Sequence, residues 1–478
     1  MDYEVVIGLE THAELSTESK LFCGCSTKFG AEPNTQVCPV CLGMPGVLPV
    51  VNKKAFEYAL KAALALNCTI NQHTNFDRKS YYYPDLPKNY QISQNYYNLG
   101  VDGYMNIEVN DVMKKIRIHN VHLEEEAGKL IHPDEAGADY SLVDFNRAGV
   151  PLLEIVSYPD MRNAAEVENY MYTLRKILLY TDISDCKMQE GSLRFEASIS
   201  LRKDGEQKLG NRVEMKNLNS MKSVLKAIEY ETSRQSELLD RGEKIERETR
   251  LWDEIREKSV RMRSKEEAQD YRYFPEPDLL PFVIDEKWVC SIKETLPELP
   301  LEKKQRFVES FQLSDYDAGL LIEDKILADF FEECVKEVNF PKVFCNWIIN
   351  DLLREVKEKK LDIALLKIKP AQLAALVVMI NKGIISNTIA KDVFSEMINT
   401  GKEPKTIVEE KKLVQISDEG LIDEILDKVI ASNPNAIEDY KKGKKNALAF
   451  LMGQVMKETK GKANPKLVNE LLKNKLDS

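Results

Sequence analysis

Residues 116–129 read IRIHNVHLEEEAGK, and residues 142–157 read LVDFNRAGVPLLEIVS. The rest of the chain is organised around these two stretches. As an extended strand, the first places Asn120, His122 and Glu124 on one face and His119, Val121 and Leu123 on the other. A turn into helix at Leu123 would instead set His122 against Glu125 and Glu126. In the second, Leu152, Leu153, Ile155 and Val156 enclose Glu154, so a carboxylate lies among apolar neighbours. Such a group has to be paired or metal-bound, because burying it uncompensated costs roughly tens of kcal/mol in the idealised limit. Two outcomes are open. The carboxylates and a histidine grip a cation, or Glu124 to Glu126 begin a solvated helix and Glu154 meets an arginine such as Arg147.

Toward the N-terminus, residues 5–15 alternate so that Glu10, His12 and Glu14 share one face and Leu9, Thr11, Ala13 and Leu15 the other. That is a second set of ligands on a rigid strand, or the polar side of a half-solvated one. Cys23, Cys25, Cys38 and Cys41 form a C-x-C and a C-x-x-C pair around a loop with Gly30, Pro33 and Asn34. This spacing suits tetrahedral thiolate coordination of a structural zinc, with an iron–sulfur cluster as the other occupant. Residues 53–67 carry Phe56, Leu60, Ala63 and Leu64 at helical spacing. Residues 76–94, FDRKSYYYPDLPKNYQISQ, read as a proline-stiffened loop that sets Arg78, Lys79, Asp85 and Lys88 among Tyr81, Tyr82, Tyr83 and Tyr90. Lysines fixed beside aromatic faces suit phosphate and base contacts; a packed surface loop with snorkelling lysines has the same composition.

Beyond the central stretch, residues 163–180 predict an amphipathic helix with Val167, Tyr170, Met171, Leu174, Ile177 and Leu178 on its buried stripe. LRFEASISLR alternates, with Leu193, Phe195, Ala197, Ile199 and Leu201 facing a core and Arg194, Glu196, Ser198 and Ser200 facing away. Arg212, Glu214 and Lys216 repeat that arrangement, as the floor of a site or as a solvated sheet face. A helix capped by Asn219 or Ser220 ends before Gly242. DYRYFPEPDLLP, residues 270–281, is expected as an extended loop carrying Arg272, Glu276 and Asp278. Past Pro300 helical spacing takes over. The expected division is a first domain at 1–295 with the cysteine insert at 23–41, a helical domain at 296–403 and a helical tail at 404–478. Helices are predicted at 301–311, 325–338, 342–357, 370–382, 386–399, 421–430, 445–457 and 465–475. Ten lysines in the tail, Lys441, Lys442, Lys444, Lys445, Lys457, Lys460, Lys462, Lys466, Lys473 and Lys475, face only Glu458, Glu470 and Asp477 there. Such a patch suits a phosphate backbone, and solvated helices carry the same residues.

The 478 residues suggest about three domains, and 43% hydrophobic content is enough for packed cores. A formal charge of −11 leaves any nucleic-acid site local. Nine cysteines and no export signal argue for reduced thiols or metal ligands. The longest apolar run, residues 373–380, is too short for a bilayer, so a cytoplasmic, non-membrane protein is expected. No Walker-type phosphate loop is present, so ATP use is not read from that motif. No G-x-S-x-G elbow, serine-and-glycine-rich nucleophile segment or N-terminal cysteine nucleophile is present, which argues against a glutaminase. All five histidines, His12, His73, His119, His122 and His132, fall in the first third of the chain.

Taken together, VIGLETHAEL, the four-cysteine insert, FDRKSYYYPDLPKNYQISQ, HLEEEAGK, LVDFNRAGVPLLEIVS, MQEGSLRFEASISLR, EMKNLNS, DYRYFPEPDLLP, LVQISDE and GQVMKETKGKANPKLVNELL resemble the B subunit of bacterial aspartyl/glutamyl-tRNA amidotransferases, end to end. The resemblance implies an α+β architecture: a cradle with a mixed or antiparallel sheet like that of glutamine synthetase and guanidino kinases, then a helical domain, then a tail that engages tRNA. It implies a carbon–nitrogen ligase that activates the side chain of Glu-tRNA(Gln) or Asp-tRNA(Asn) with ATP. Ammonia would come from an amidase A subunit, and a small C subunit would complete a heterotrimer. On matching positions it implies His12, Glu125 and Glu154 as magnesium ligands, with Glu10 and Glu124 beside them. A histidine on magnesium is unusual for so hard an ion. Lys79, Lys88, Arg194 and Lys216 are assigned to phosphate on their charge, and Glu190, Ser192 and Glu214 to the same cavity. Some members of the family lack the cysteines, so zinc is expected to be dispensable for the chemistry. Two other functions fit parts of the chain: a zinc-stabilised tRNA-binding adaptor without catalysis, and a free-standing ligase acting on a small acid.

Overall fold

The computed structural model describes residues 3–133, 139–264, 270–414, 419–441, 444, 446–459, 463 and 465–477. It divides into two units, Met1–Pro300 and Leu301–Ser478. The first is α+β and the second is helical. A nine-stranded sheet organises the first, in the order Lys258–Ser264, Glu248–Asp253, Val213–Lys216, Leu193–Lys203, Tyr3–Glu14, Pro151–Ser157, Val112–Glu125, Gly100–Val109 and Thr69–Ile70. Val213–Lys216 and Glu248–Asp253 run parallel. The other neighbouring pairs are antiparallel.

One face of this sheet is apolar. Helices Lys53–Ala65, Ala164–Tyr180 and Met221–Asp240 pack on strands of the sheet and share a core with Leu9, Ala13, Val121, Leu123, Leu153, Phe195 and Ile199. Each helix starts at a side-chain cap: Asn52 accepts from Lys54 N and Ala55 N, Asn163 from Glu166 N and Ser220 from Ser223 N. Such caps satisfy amides that have no partner inside the helix. The other face is left to the polar members of the alternation, as in antiparallel sheets with one face packed.

The extended reading of the central stretch is the one the structure adopts. Val112–Glu125 is a strand, and Glu124, Glu125 and Glu126 are all buried, which overturns the solvated helix start. The ladder keeps the chain extended, since Leu153 pairs with Leu123 and Leu152 with Glu124, and Glu126 N still donates to Val150 O at 2.8 Å. The two expected proline-rich loops are likewise corrected. Asp77–Ser80 and Tyr90–Ser93 form a hairpin, and Phe274–Pro275 adds a third strand beside Asp77–Ser80. Arg78 joins them, donating through Nε and Nη2 to Glu276 at 2.7 and 2.8 Å. Such bidentate pairing fixes geometry as well as charge.

In the second unit, one apolar cluster runs from Phe307 to Val408 and another from Ile422 to Leu476. The helix predicted over 342–357 is broken into Pro341–Asn346, a π-helical stretch Trp347–Leu352, and Leu353–Lys359. The short helices Asp315–Leu321, Pro404–Glu410 and Pro434–Lys441 were not expected, because one or two turns carry too little periodicity to register. The lysine-rich tail is less unopposed than its sequence implies. Lys444 pairs with Asp439 at 2.9 Å, and Lys475 pairs with Asp423 at 2.9 Å and with Asp427. Lys442, Lys445, Lys460 and Lys462 lie outside the described residues. Among the described residues, no helix is long and apolar enough to cross a membrane.

Candidate active site

The sheet register sets chemically matched residues in a row. His122 lies opposite Glu154, Glu154 opposite His12, and His12 opposite Arg194, across four adjacent strands. Facing residues of neighbouring strands are close enough to interact directly. His12 Nε2 lies 3.5 Å from Glu154 Oε2, 3.4 Å from Glu10 Oε1 and 3.9 Å from Glu124 Oε1. His122 Nε2 lies 3.4 Å from Glu154 Oε2, and its Nδ1 is bonded to Asn120 Oδ1 at 2.9 Å. Neither Glu154 nor Glu124 is met by an arginine here, so the expected Glu154–Arg147 pair does not form. Arg147 donates instead to the carbonyls of Ala127 and Gly128, at 3.1 and 2.7 Å.

The electrostatics follow from crowding in a buried place. Burial, then the Glu154 carboxylate, push Glu10 up to about 7. Burial opposes charge on His12, but the Glu154 hydrogen bond and nearby carboxylates overcome it and raise His12 to about 9. Burial also works to raise Glu154; His122 and His12 outweigh it and hold it well below the usual carboxylate range. Glu124 Oε2 is buried with no hydrogen-bond partner. A buried carboxylate oxygen left bare costs about 1–3 kcal/mol or more, so this atom is unfinished without a further ligand. Glu10, His12 and Glu154 form one set of ligand atoms within 4.8 Å of one another, and His122, Glu124 and Glu154 form a second. Oxygen-rich sets of this kind fit a divalent cation, and the hydrogen bond between His122 Nδ1 and Asn120 orients the ring as in metal sites.

The cluster opens into a cavity of about 890 Å³ lined by Glu10, His12, Glu14 and Glu124, with Lys79, Arg194 and Lys216 among its cations. Burial disfavours charge on Lys79, yet the Glu124 carboxylate dominates the groups that raise its pKa. Lys216 donates to Glu196 at 2.5 Å, and Arg194 to Glu126. Burial works to raise Glu126, and Arg194 and Arg147 hold it low. Burial, then Glu126, push Glu14 up to about 7.

Not every expected residue joins this site. Glu125 falls on the opposite side of its strand from Glu124, where its Oε1 accepts from Lys88 and, at 2.8 Å, from Ile92 N. It is therefore not among the converging ligands, and Lys88 is turned away with it, into a separate pocket beside Cys23 and Cys41. Glu190 lines the main cavity, whereas Ser192 lines an adjoining one and is bonded to Asp185. Glu214 accepts from Thr249 at 3.1 Å and does not line the cavity. Glu126 does line it and was passed over. Period-two spacing from His122 through Glu124 carries the signal for Glu126 and against Glu125.

Cys23, Cys25, Cys38 and Cys41 bring their sulfurs within 4.8 Å of one another. A hydrogen bond from Cys23 lowers Cys41 toward the thiolate against burial, with the Lys20 ammonium, 3.6 Å away and fully buried, adding to it. The set fits a tetrahedral thiophilic ion. Gly149, at φ 86°, ties this insert to the strand end: its N donates to Glu126 O and its O accepts from Leu21 N, both at 2.8 Å.

Sheet, cavity and cluster together define an α+β protein whose acidic, histidine-bearing floor is suited to a divalent cation. Residues 5–290 match the GatB/GatE catalytic domain and residues 329–476 the GatB domain. The chain belongs to the family of aspartyl/glutamyl-tRNA(Asn/Gln) amidotransferase B subunits. It is 55% identical over 476 residues to that subunit of Carboxydothermus hydrogenoformans, covering 99% of both chains. It is 54% identical over 480 residues to that of Caldicellulosiruptor bescii, covering all of both chains, and 53% identical over 473 residues to that of Clostridium tetani, covering 99% of this chain and 98% of the relative.

Proposed function

We propose that this chain is the ATP-dependent subunit of a tRNA amidotransferase, a carbon–nitrogen ligase that converts Glu-tRNA(Gln) or Asp-tRNA(Asn) into Gln-tRNA or Asn-tRNA. The observation that carries this reading is the convergence of Glu10, His12, Glu124 and Glu154, with one bare buried oxygen, at a cavity rimmed by cations. A side-chain carboxylate is a poor electrophile. Transfer of the γ-phosphoryl group of ATP to one of its oxygens, releasing ADP, makes an acyl phosphate. Ammonia then forms the C–N bond, phosphate leaves with the C–O bonding pair, and the nitrogen gives up its surplus proton.

The residues of this chain place and neutralise charge in those steps. Glu10, His12, Glu124 and Glu154 would hold magnesium or a similar ion, in a set that replaces Glu125 by Glu124 and has His122 behind Glu154. A divalent ion there supplies charge that screens the transferring phosphoryl group. Lys79, Arg194 and Lys216 would face phosphate or carboxylate oxygens across the cavity, positioning being most of what phosphoryl transfer asks of a protein. A neighbouring cavity of about 350 Å³ shares Glu10 and is lined by Ser157, Ser198, Ser200, Arg212 and Arg247, a size and chemistry suited to the nucleoside of ATP. The four cysteines would hold a structural zinc.

Residues 1–295 would then be a cradle of the glutamine synthetase and guanidino kinase kind, 296–403 a helical domain and 404–478 the part that grips tRNA, in the cytoplasm. The partners would be an amidase A subunit, which supplies ammonia, and a small C subunit. The test is reconstitution with those partners, ATP, glutamine and each misacylated tRNA in turn. Amide product that vanishes with Glu124→Gln while tRNA binding persists supports the reading. Absence of product from the unaltered chain refutes it, and product from a chain cut after Thr400 refutes the role of the tail.

A further inference from the structure

Beside the main cavity, the three-stranded sheet carries a belt of rings that the chemistry above leaves unused. Tyr81 and Tyr271 meet edge to face at 5.9 Å, Tyr271 and Tyr273 at 5.9 Å, and Tyr273 and Tyr96 at 6.4 Å. The belt reaches the cavity at two points: Lys79, which lines it, has Nζ 5.4 Å from the Tyr271 ring, and the Tyr81 hydroxyl donates to Gln91, another lining residue, at 3.3 Å. At the outer end the Arg272 guanidinium lies 5.9 Å from the Tyr82 ring. Tyr82 and Tyr96 are 68% and 55% exposed, so both rings are open to a planar ligand. No carboxylate oxygen of a described residue lies within 4.0 Å of the Lys79 or Arg272 cation. Arg272 holds a left-handed backbone at φ 45°, a conformation that costs about 1 kcal/mol or more in a non-glycine residue and persists where the surroundings impose it.

We infer that Tyr82, Tyr96 and Arg272, with Tyr271 and Tyr273 between them, form a stacking ledge for the unpaired 3′-terminal nucleotides of the aminoacyl-tRNA, leading its amino-acid end to the cavity at Lys79. The inference rests on the functional reading above and adds the surface by which the substrate enters. Single-stranded RNA offers planar bases alternating with phosphates, and the ledge offers rings set between two cations, Lys79 at the cavity and Arg272 at the outer end. Base–aromatic stacking is indifferent to which base is present and is lost when the ring is removed.

The experiment uses the full chain assembled with its partner subunits and two uncharged tRNA transcripts, one intact and one lacking its unpaired 3′ nucleotides. The ledge requires that removing those nucleotides weaken binding by about tenfold, and that Tyr82→Ala with Tyr96→Ala weaken binding of the intact transcript by a similar factor without affecting the shortened one. Tyr82→Trp with Tyr96→Trp should restore binding, and in turnover the alanine pair should raise KM for misacylated tRNA but not for ATP. Equal losses with both transcripts, or none with either, overturn the ledge. So does an alanine pair that no longer assembles with the partner subunits, which would make the belt a protein interface. Failure of the functional reading is separate: it shows as no amide product from the unaltered complex, whatever the two transcripts do.

Discussion

Two buried acidic clusters in the first unit are built in opposite ways. On the Met221–Asp240 helix, Glu231 is fully buried and closed off by partners. Arg234 donates to both of its oxygens at 2.8 and 2.6 Å, Gln235 donates at 2.9 Å, and Arg250 stands 3.8 Å away. Glu248 beside it meets Arg234 at 3.3 Å, Arg250 at 2.8 Å and Arg261 at 3.2 Å. In the Glu10–His12–Glu124–Glu154 cluster, carboxylates instead face one another and two histidines, and one buried oxygen has no hydrogen-bond partner. In the first arrangement every carboxylate oxygen is met by a donor, the bare buried oxygen there being the amide Oε1 of Gln235; in the second a carboxylate oxygen itself is left without one. Burial of charge therefore does not distinguish structure from function here, whereas the satisfaction of each carboxylate oxygen does.

The widest gap between the clusters should appear in Glu124→Gln. ATP-dependent amide formation is expected to fall by more than the roughly 100-fold that loss of an outer metal partner costs, with thermal stability held or improved. A variant that melts early yet turns over normally would erase the contrast. Glu231→Gln should do the reverse, losing about 3 kcal/mol in urea unfolding because Arg234 loses its two-pronged buried carboxylate and Glu248 alone is left to face three arginines, with kcat of the folded fraction retained. Adding manganese or magnesium at tenfold excess over its Kd should stabilise the unaltered chain by about 1.4 kcal/mol. It should leave the melting of Glu124→Gln unmoved, and equal stabilisation of both would place the ion elsewhere.

The smallest effect sharpens the comparison at the surface. Glu4 lies between Arg202 and Arg162, whose Nε atoms are each 2.6 Å from one of its oxygens. The Arg202 hydrogen bond, with Arg162 and against burial, lowers Glu4 to about 2. Because the folded carboxyl is the stronger acid, its contribution is present above its ordinary value of 4.5 and is lost as pH falls from there toward about 2. Melting curves of the unaltered chain and Glu4→Gln should therefore differ at neutral pH and converge across that interval. A gap that widens on acidification would contradict the sign.

Much of the site was legible because strands have period two. Glu10, His12 and Glu14 on one strand, and Asn120, His122 and Glu124 on another, were correctly assigned to common faces. Likeness at matching positions and periodicity point to different neighbours: the likeness implies Glu125 as a ligand, while one residue's step turns Glu125 to the other side of the strand and two steps bring Glu126 back to the side of Glu124. Lys88 was misplaced for a different reason. Its charge was legible, but the 76–94 segment was taken for a loop when it is a hairpin braced by the remote Glu276. Charge alone gave no sign that Lys79 and Lys88 would line different cavities.

By itself the sequence determined the local alternations, the helix start at Asn219 or Ser220, the paired cysteine knuckles and the change to helical spacing after Pro300. Each is decided by neighbours within a few residues, through backbone geometry and solvation. Tertiary structure alone decided which strands lie side by side. The order that places Pro151–Ser157 between Tyr3–Glu14 and Val112–Glu125 turns three separate polar faces into the row His122, Glu154, His12. Cross-strand register follows from packing and hydrogen bonding between segments far apart in the chain, His12 with Glu154 and Glu154 with His122, and no local pattern carries that information.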